Sequence, residues 1–218
     1  MTLFVHEIFR SLQGEAHAAG WPTIFIRLTG CNLRCLYCDT AHAWEGGEEL
    51  DIDSVRTRVR ALGEAKQNHA LITGGEPFLQ QEAVMELASA LIKEGYETSL
   101  ETNGSFLVNA LPEKLIAVID VKTPGSGMSG IMNQENFRMA RRHHDVFKFV
   151  IASTEDIAWA FDVIERQRLL HRYDIYFSPA AGKIPADELA EAILASGKRV
   201  RLSLQLHKIL WENETRGR

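Results

Sequence analysis

The three cysteines of this 218-residue chain, Cys31, Cys35 and Cys38, fall together in the stretch TGCNLRCLYCD. An odd set of thiols cannot all pair within one chain. Thiolate is a soft metal ligand, so a local cluster of three raises metal binding first. Three readings compete. Free cysteine is often a small buried hydrophobe, but that does not explain why every cysteine sits in one loop. Structural zinc takes four ligands, usually as two separated pairs; the second pair is absent here, and His42 is the candidate fourth ligand. A [4Fe–4S] cluster normally takes four cysteines. Three would leave one iron without a protein ligand, and an open position is what a catalytic metal site keeps for substrate. The C-x3-C-x2-C spacing therefore favours a cluster that binds something over one that only carries electrons.

Other polar groups recur at comparable places. Gly74-Gly75-Glu76-Pro77 offers a backbone that a ligand can approach closely, with a carboxylate to accept from an ammonium group. Glu101-Thr102-Asn103-Gly104 brings a carboxylate, a hydroxyl and an amide together, and its bland alternative is an Asn-Gly turn. Ser126 after KTPG and Ser178 in FSPA are placed to meet a cofactor, although serine beside glycine or proline is commonly turn chemistry. Arg27 interrupts the apolar run IFIRL; it faces either the surface or a binding mouth, where a guanidinium would hold a carboxylate through two bonds.

The elements that position these groups follow from periodicity. Apolar, β-branched runs predict strands over 23–29, 70–73, 97–101, 116–121, 146–151, 174–177 and 200–204. Helical spacing predicts helices over 53–62, with Val55, Val59 and Leu62 on one face, and over 80–94, with Val84, Leu87 and Leu91. Ser153 caps a third helix with Ile157, Phe161 and Ile164 inward, and Pro185 suits the first position of a fourth, ahead of Leu189, Ala192 and Ile193. Strand-then-helix alternation gives a mainly parallel α/β sheet. A complete eight-unit barrel takes ~250 residues, so an incomplete TIM-like barrel with its helices outside is expected. Each motif above follows the C-terminal end of a strand, where parallel α/β folds assemble active sites. One domain over 1–218 is expected, with an N-terminal arm (1–22) and a charged C-terminal tail (205–218) that ends in ENETRGR.

Composition narrows the class. Hydrophobic residues make up 45% and charged residues 24%, which excludes disorder and disulfide scaffolds. The net charge of −5 argues against nucleic-acid binding. No apolar run reaches the ~20 residues of a membrane span. The N-terminal MTLFVHEIFRSLQGE does not read as a secretory leader, so the reducing cytoplasm is expected.

C-x3-C-x2-C with Tyr37 before the last cysteine resembles the signature of the radical S-adenosylmethionine enzymes, whose open iron is chelated by the amino and carboxylate groups of that cofactor. FRSLQGE, IFIRLTGCNLRCLYCDT followed by HAW, LITGGEP, ETNG, DVKTPGSG and QLHK together resemble the 7-carboxy-7-deazaguanine synthase family over about residues 4–210. That resemblance implies conversion of 6-carboxy-5,6,7,8-tetrahydropterin to 7-carboxy-7-deazaguanine with loss of ammonia, a step toward queuosine. It implies that the reduced cluster cleaves S-adenosylmethionine to a 5′-deoxyadenosyl radical, which takes the hydrogen at C6 of the pterin. It further implies roles for residues. Cys31, Cys35 and Cys38 hold the cluster, and Tyr37, Asp39, Gly74, Gly75, Glu76, Glu101, Asn103, Ser126 and Ser178 lie about S-adenosylmethionine. Thr40 contacts Mg²⁺, and Arg27 shares the substrate carboxylate with that ion. Leu12, Gln13, Gly14, Glu15, Thr73 and His207 recognise the pterin ring. A low-potential donor such as flavodoxin or ferredoxin and a homodimer are implied too. Two alternatives stay open: a glycyl-radical activating enzyme, which shares the cysteine spacing, and a non-catalytic iron–sulfur or zinc module. His6, His17, His69, His143 and His144 have no role in any of these readings.

Overall fold

The computed structural model describes residues 1–211 and Gly217. The rest of the tail ENETRGR, including the question of whether it closes a site, lies outside the described residues. In chain order the elements are β1 (Thr2–Leu12), β2 (Pro22–Leu28), β3 (Glu48–Asp51), α1 (Ile52–Leu62), β4 (His69–Gly74), α2 (Gln81–Lys93), β5 (Glu97–Thr102), β6 (Ile116–Val121), α3 (Asn136–Met139), β7 (Val146–Ile151), α4 (Thr154–Arg166), β8 (Asp174–Pro179), α5 (Ala186–Ser196), β9 (Arg201–Leu202) and α6 (Leu206–Leu210). They build one sheet in the order β3-β1-β2-β4-β5-β6-β7-β8-β9. From β2 to β9 every pairing is parallel, while β1 runs antiparallel to both β2 and β3. The two ends of the sheet do not pair, so this is the incomplete barrel that chain length implies.

Strand alternation sorts side chains into two layers. On one face Ile24, Ile26, Ile72, Leu100, Ile119, Phe147, Phe149 and Phe177 are fully buried, packed with Val55, Val59, Val84, Leu87, Leu91 and Ile164 from the helices. The other face looks into the barrel. At its base it is apolar, with Val118, Val146 and Tyr176 against Ala16. One step further along the same strands it turns polar, at Arg27, Thr73, Glu101, Asp120 and Lys148. Register sets these neighbours, since Arg27 pairs with Thr73 and Asp120 with Lys148. The barrel interior is thus mainly apolar near its base and charged toward the strand C-termini.

Local chemistry fixes the helix starts. Asp51 caps α1 by accepting from Ser54 N (2.7 Å), and Ser153 caps α4 by accepting from Asp156 N (3.3 Å), as its sequence predicts. Pro185 stands one place earlier than expected, at the cap of α5 and not inside its first turn. Two strands were not expected. The arm over 1–22 is largely β1, whose alternation is broken by a bulge between Val5 and Glu7, and β3 is only four residues long. The last strand shrinks from 200–204 to two residues; at its end Ser203 N still donates to Phe177 O (2.8 Å), while the Ser203 hydroxyl accepts from Ala16 N (2.8 Å).

Candidate active site

The cysteine loop leaves the C-terminal end of β2 and is clasped from several sides. Gly30 N donates to Ala43 O (2.9 Å) and Leu36 N to Ser126 O (3.1 Å). The Arg34 guanidinium donates to the carbonyls of Cys31 and Leu33 (both 2.7 Å) and lies 4.4 Å from the Trp44 ring centre, tying the cysteine loop to the Trp that ends Cys-Asp-Thr-x-x-x-Trp. All three thiols are free and partly exposed, and they line one cavity of about 470 Å³. Cys31 Sγ accepts from Leu33 N (3.4 Å) and Asn103 Nδ2 (3.8 Å), and Cys38 Sγ is 3.7 Å from Thr40 Oγ1. Burial pushes the Cys35 thiol up, with Lys122 opposing.

This donor set fits an iron–sulfur cube better than one ion. A zinc ion needs its ligand atoms within ~2.0–2.3 Å of one point. Among the described residues no three His, Cys, Asp or Glu side chains converge in that way, and His42 faces Glu7 (3.6 Å). A cube spreads its thiolates over separate irons, and N–H groups aimed at the sulfurs are a usual accompaniment.

The Gly74-Gly75 turn presses on this loop. Gly75 N donates to Leu28 O (3.2 Å) and Glu76 N to Gly30 O (2.7 Å). A Cβ on Gly75 would enter the Gly30 carbonyl oxygen and lie 2.9 Å from Cys31 Cβ. Glycine is required here because two backbones meet. The Glu76 carboxylate is fully buried and accepts from Phe78 N (2.9 Å), Thr102 Oγ1 (2.8 Å) and Asn103 N (2.7 Å). Burial raises its pKa while these donors pull it back. It joins the GGEP turn to ETNG from below, and it does not line the cavity.

The charged barrel floor lies across from the thiols. Lys148 Nζ donates to Glu15 Oε2 (2.7 Å), and Gln205 Nε2 to Glu15 Oε1 (2.7 Å). Asp120 pairs with Lys122 (2.8 Å) and lies 4.0 Å from Lys148. Despite burial, Glu15, Glu101 and Asp120 raise Lys148, and Asp120 raises Lys122, so both lysines stay charged. Among the described residues Glu101 receives only neutral donors, Gln13 Nε2 (3.2 Å) and Thr73 Oγ1 (3.3 Å). It and Asp120, whose Oδ1 is buried without a partner among those residues, are floor carboxylates with capacity left for a ligand.

The rim carries the carboxylate-binding candidate. Arg27 is 13% exposed and faces the barrel, not solvent. Its Nε is occupied by Glu7 Oε1 (2.7 Å), and Phe9 lies 5.7 Å under the guanidinium carbon, which leaves the terminal fork to a ligand. The N-terminal arm and the C-terminal segment meet at the same rim. Leu206 N donates to Gly14 O (3.1 Å), and a Cβ on Gly14 would run into His207 Nδ1. His207 and Lys208 approach Asp39 (3.9 and 3.7 Å) and, against burial, hold its carboxyl well below the usual range. Tyr37 donates to Val150 O (3.2 Å); burial pushes its pKa to about 12, so it remains a phenol.

The cavity therefore gathers Leu12, Gln13, Gly14, Glu15, Arg27, Tyr37, Asp39, Thr40, Thr73, Gly74, Gly75, Glu101, Asn103 and His207 around the three thiols. Ser126 and Ser178 are not in its wall. Ser126 is fully buried, donates to Thr123 O (2.6 Å) and accepts from Met128 N (3.0 Å), which is turn chemistry; Ser178 Oγ is buried without a partner. Sequence reasoning missed Lys148, Asp120, Lys122, Gln205 and Arg34. The signal that singled out Arg27, one charge in an apolar strand, is equally present in VFKFVI and IAVIDV.

Comparison with known proteins agrees with this geometry. Residues 25–144 match the family model described as the radical SAM superfamily. The chain is 36% identical to a 7-carboxy-7-deazaguanine synthase of Koribacter versatilis, covering 98% of this chain and 99% of that protein. It is 39% identical to one of Chlorobaculum tepidum, covering 99% and 97%. The crystal structure of QueE from Escherichia coli superposes with a TM-score of 0.75 at 24% identity, over 94% of both chains, which establishes the shared fold.

Proposed function

This chain belongs to the 7-carboxy-7-deazaguanine synthase family of the radical SAM superfamily, and on that premise we propose that its mouth converts 6-carboxy-5,6,7,8-tetrahydropterin to 7-carboxy-7-deazaguanine with loss of ammonia. One observation carries the reading: residues 12–15, Arg27, Gln205 and His207 meet the three thiols in a single cavity. Cys31, Cys35 and Cys38 would hold the [4Fe–4S] cluster. The Gly74-Gly75 backbone, Asn103, Tyr37 and Asp39 would border S-adenosylmethionine. When bound, these groups supply the one-electron chemistry that removes a hydrogen atom from the substrate.

The chain's own work is positioning and exclusion of water. Arg27 offers its fork to the pterin carboxylate. Thr40, on the rim beside Cys38, offers a hard oxygen to Mg²⁺, which keeps few protein ligands and would share that carboxylate. Glu15 is held in place by Lys148 and Gln205, and with Glu101 and Gln13 it suits the N–H donors and acceptors of a pterin edge. A low-potential donor of the flavodoxin or ferredoxin type would reach the cluster from the exposed side of the loop, where Leu36 is 79% exposed.

Two variants test this assignment. Arg27→Lys keeps the charge but loses the planar fork, so KM for the pterin should rise about 10- to 100-fold with kcat less affected. Gly14→Ala should displace the His207 imidazole and raise the same KM about 10-fold. Both are read by steady-state kinetics under anaerobic conditions, with affinity for S-adenosylmethionine unchanged. If Arg27→Lys instead weakens S-adenosylmethionine and spares the pterin, the carboxylate assignment is wrong. Replacing Mg²⁺ with a chelator should raise the pterin KM in the wild type, and an unmoved value would remove Thr40 from the account.

A further inference from the structure

A second cavity, of about 380 Å³, opens at the other end of the sheet. It is bordered by the first residues of β4, β5 and β6, which are His69, Glu97 and Ile116, and by His17, Trp21 and Tyr96. Nothing in the reaction above uses it. Its chemical content is a pair of imidazoles. His17, in the short turn Ala16–Ala18, and His69 stand edge to face with ring centres 5.8 Å apart.

The protonation pattern of this pair follows from hydrogen bonding. Thr23 Oγ1 donates its single hydrogen to Trp21 O (3.0 Å). The same oxygen lies 3.4 Å from His69 Nδ1, so at that contact the ring nitrogen is the donor and the hydroxyl accepts. His69 is therefore the Nδ1–H tautomer, and its Nε2 carries a lone pair. That Nε2 is buried without a partner among the described residues, on a residue only 3% exposed, and His17 Nδ1 is likewise buried and unpartnered among them. Two unsatisfied imidazole nitrogens on neighbouring buried rings are costly unless a ligand reaches them.

We propose that His17 Nδ1 and His69 Nε2 together bind one divalent transition-metal ion of the zinc, nickel and cobalt class. Imidazole is a preferred ligand for these ions. A hydroxyl holding the second ring nitrogen is the usual way such a ligand is oriented. The span agrees: with Zn–N bonds of ~2.0–2.1 Å, two rings on one ion have centres no more than about 6.5 Å apart. Both rings are also neutral, as ligation requires. Burial pushes His69 down to about 3, with His17 adding to it, and burial lowers His17 despite Asp174. No third His, Cys, Asp or Glu completes the set among the described residues, so the remaining positions belong to water. The ion would staple the turn after Glu15 to the start of β4, at the foot of the arm that lines the active-site mouth.

The test uses cluster-replete protein, whose cysteines are already engaged, titrated anaerobically with Zn²⁺ by calorimetry with Mg²⁺ present throughout. One equivalent should bind per chain and raise the thermal midpoint. His17→Gln and His69→Gln should each weaken binding at least ~10-fold, as expected when a ligand is lost. His17→Gln lies in an irregular turn, so it decides the matter if the His69 variant does not fold. No zinc uptake by the wild type, or uptake that survives His17→Gln or a folded His69→Gln, overturns the proposal.

Discussion

Cys35→Ala should yield a colourless protein that folds normally and neither cleaves S-adenosylmethionine nor turns over the pterin, with both rates down by at least ~10³-fold. The size of the effect follows from ligand count. Three thiolates already leave one iron open, and two cannot hold the cube. Folding should survive because the Cys35 side chain is partly exposed in the cavity wall and carries no part of the core. The thermal midpoint of the cluster-free variant should match that of cluster-free wild type, since surface truncations usually change stability by less than ~0.5 kcal/mol. Iron and sulfide content, the brown absorbance and 5′-deoxyadenosine formation measure the loss. Retained cleavage with a two-cysteine loop would show that the cluster is held elsewhere.

Gly75→Ala should come close to the same null while leaving all three cysteines in place. The added methyl meets the Gly30 carbonyl and Cys31 Cβ, so the cysteine loop and the GGEP turn must separate. Both are tied to fixed points, Gly75 N to Leu28 O and Glu76 N to Gly30 O, so the strain falls on the seat of the cluster. A misplacement of about 1 Å in a reacting geometry can cost ~10²-fold, and here cluster and cofactor shift together, so about 10³-fold in kcat/KM is expected. Iron incorporation should fall only partly. That separates this variant from Cys35→Ala: some cluster is present, but S-adenosylmethionine cleavage is lost. Near-wild-type cleavage by Gly75→Ala would mean that the two loops are not in register during the reaction.

Much of this was legible in the residues. The parallel strands and the α1, α2 and α4 helices follow from periodicity, because their apolar positions are the ones that pack between sheet and helices. The grouping of motifs at strand ends predicts one mouth, and the mouth gathers the arm, the cysteine loop, GGEP and ETNG. What escaped had physical reasons. β1 carries a bulge that breaks its alternation, and β3 is too short to show any. Glu76 reads as a free acceptor, yet it is consumed by Phe78 within its own turn and by Thr102 and Asn103, the last two bonds existing only once β4 and β5 lie side by side. Lys148 and Glu15 are 133 positions apart, and only the curling of the sheet makes them a pair. His17 and His69 have no role legible in the sequence because single histidines in apolar stretches are commonly core residues; their meaning depends on the contact between them.

In the proposed reaction one cavity brings the cysteine-bound cluster and a carboxylated pterin together. Its most direct measurement is anaerobic incubation of cluster-replete protein with 6-carboxy-5,6,7,8-tetrahydropterin, S-adenosylmethionine, Mg²⁺ and a low-potential reductant, followed by product analysis. The account predicts 7-carboxy-7-deazaguanine and ammonia in equal amounts, both absent without S-adenosylmethionine. Cleavage of S-adenosylmethionine with the pterin left unchanged would contradict it.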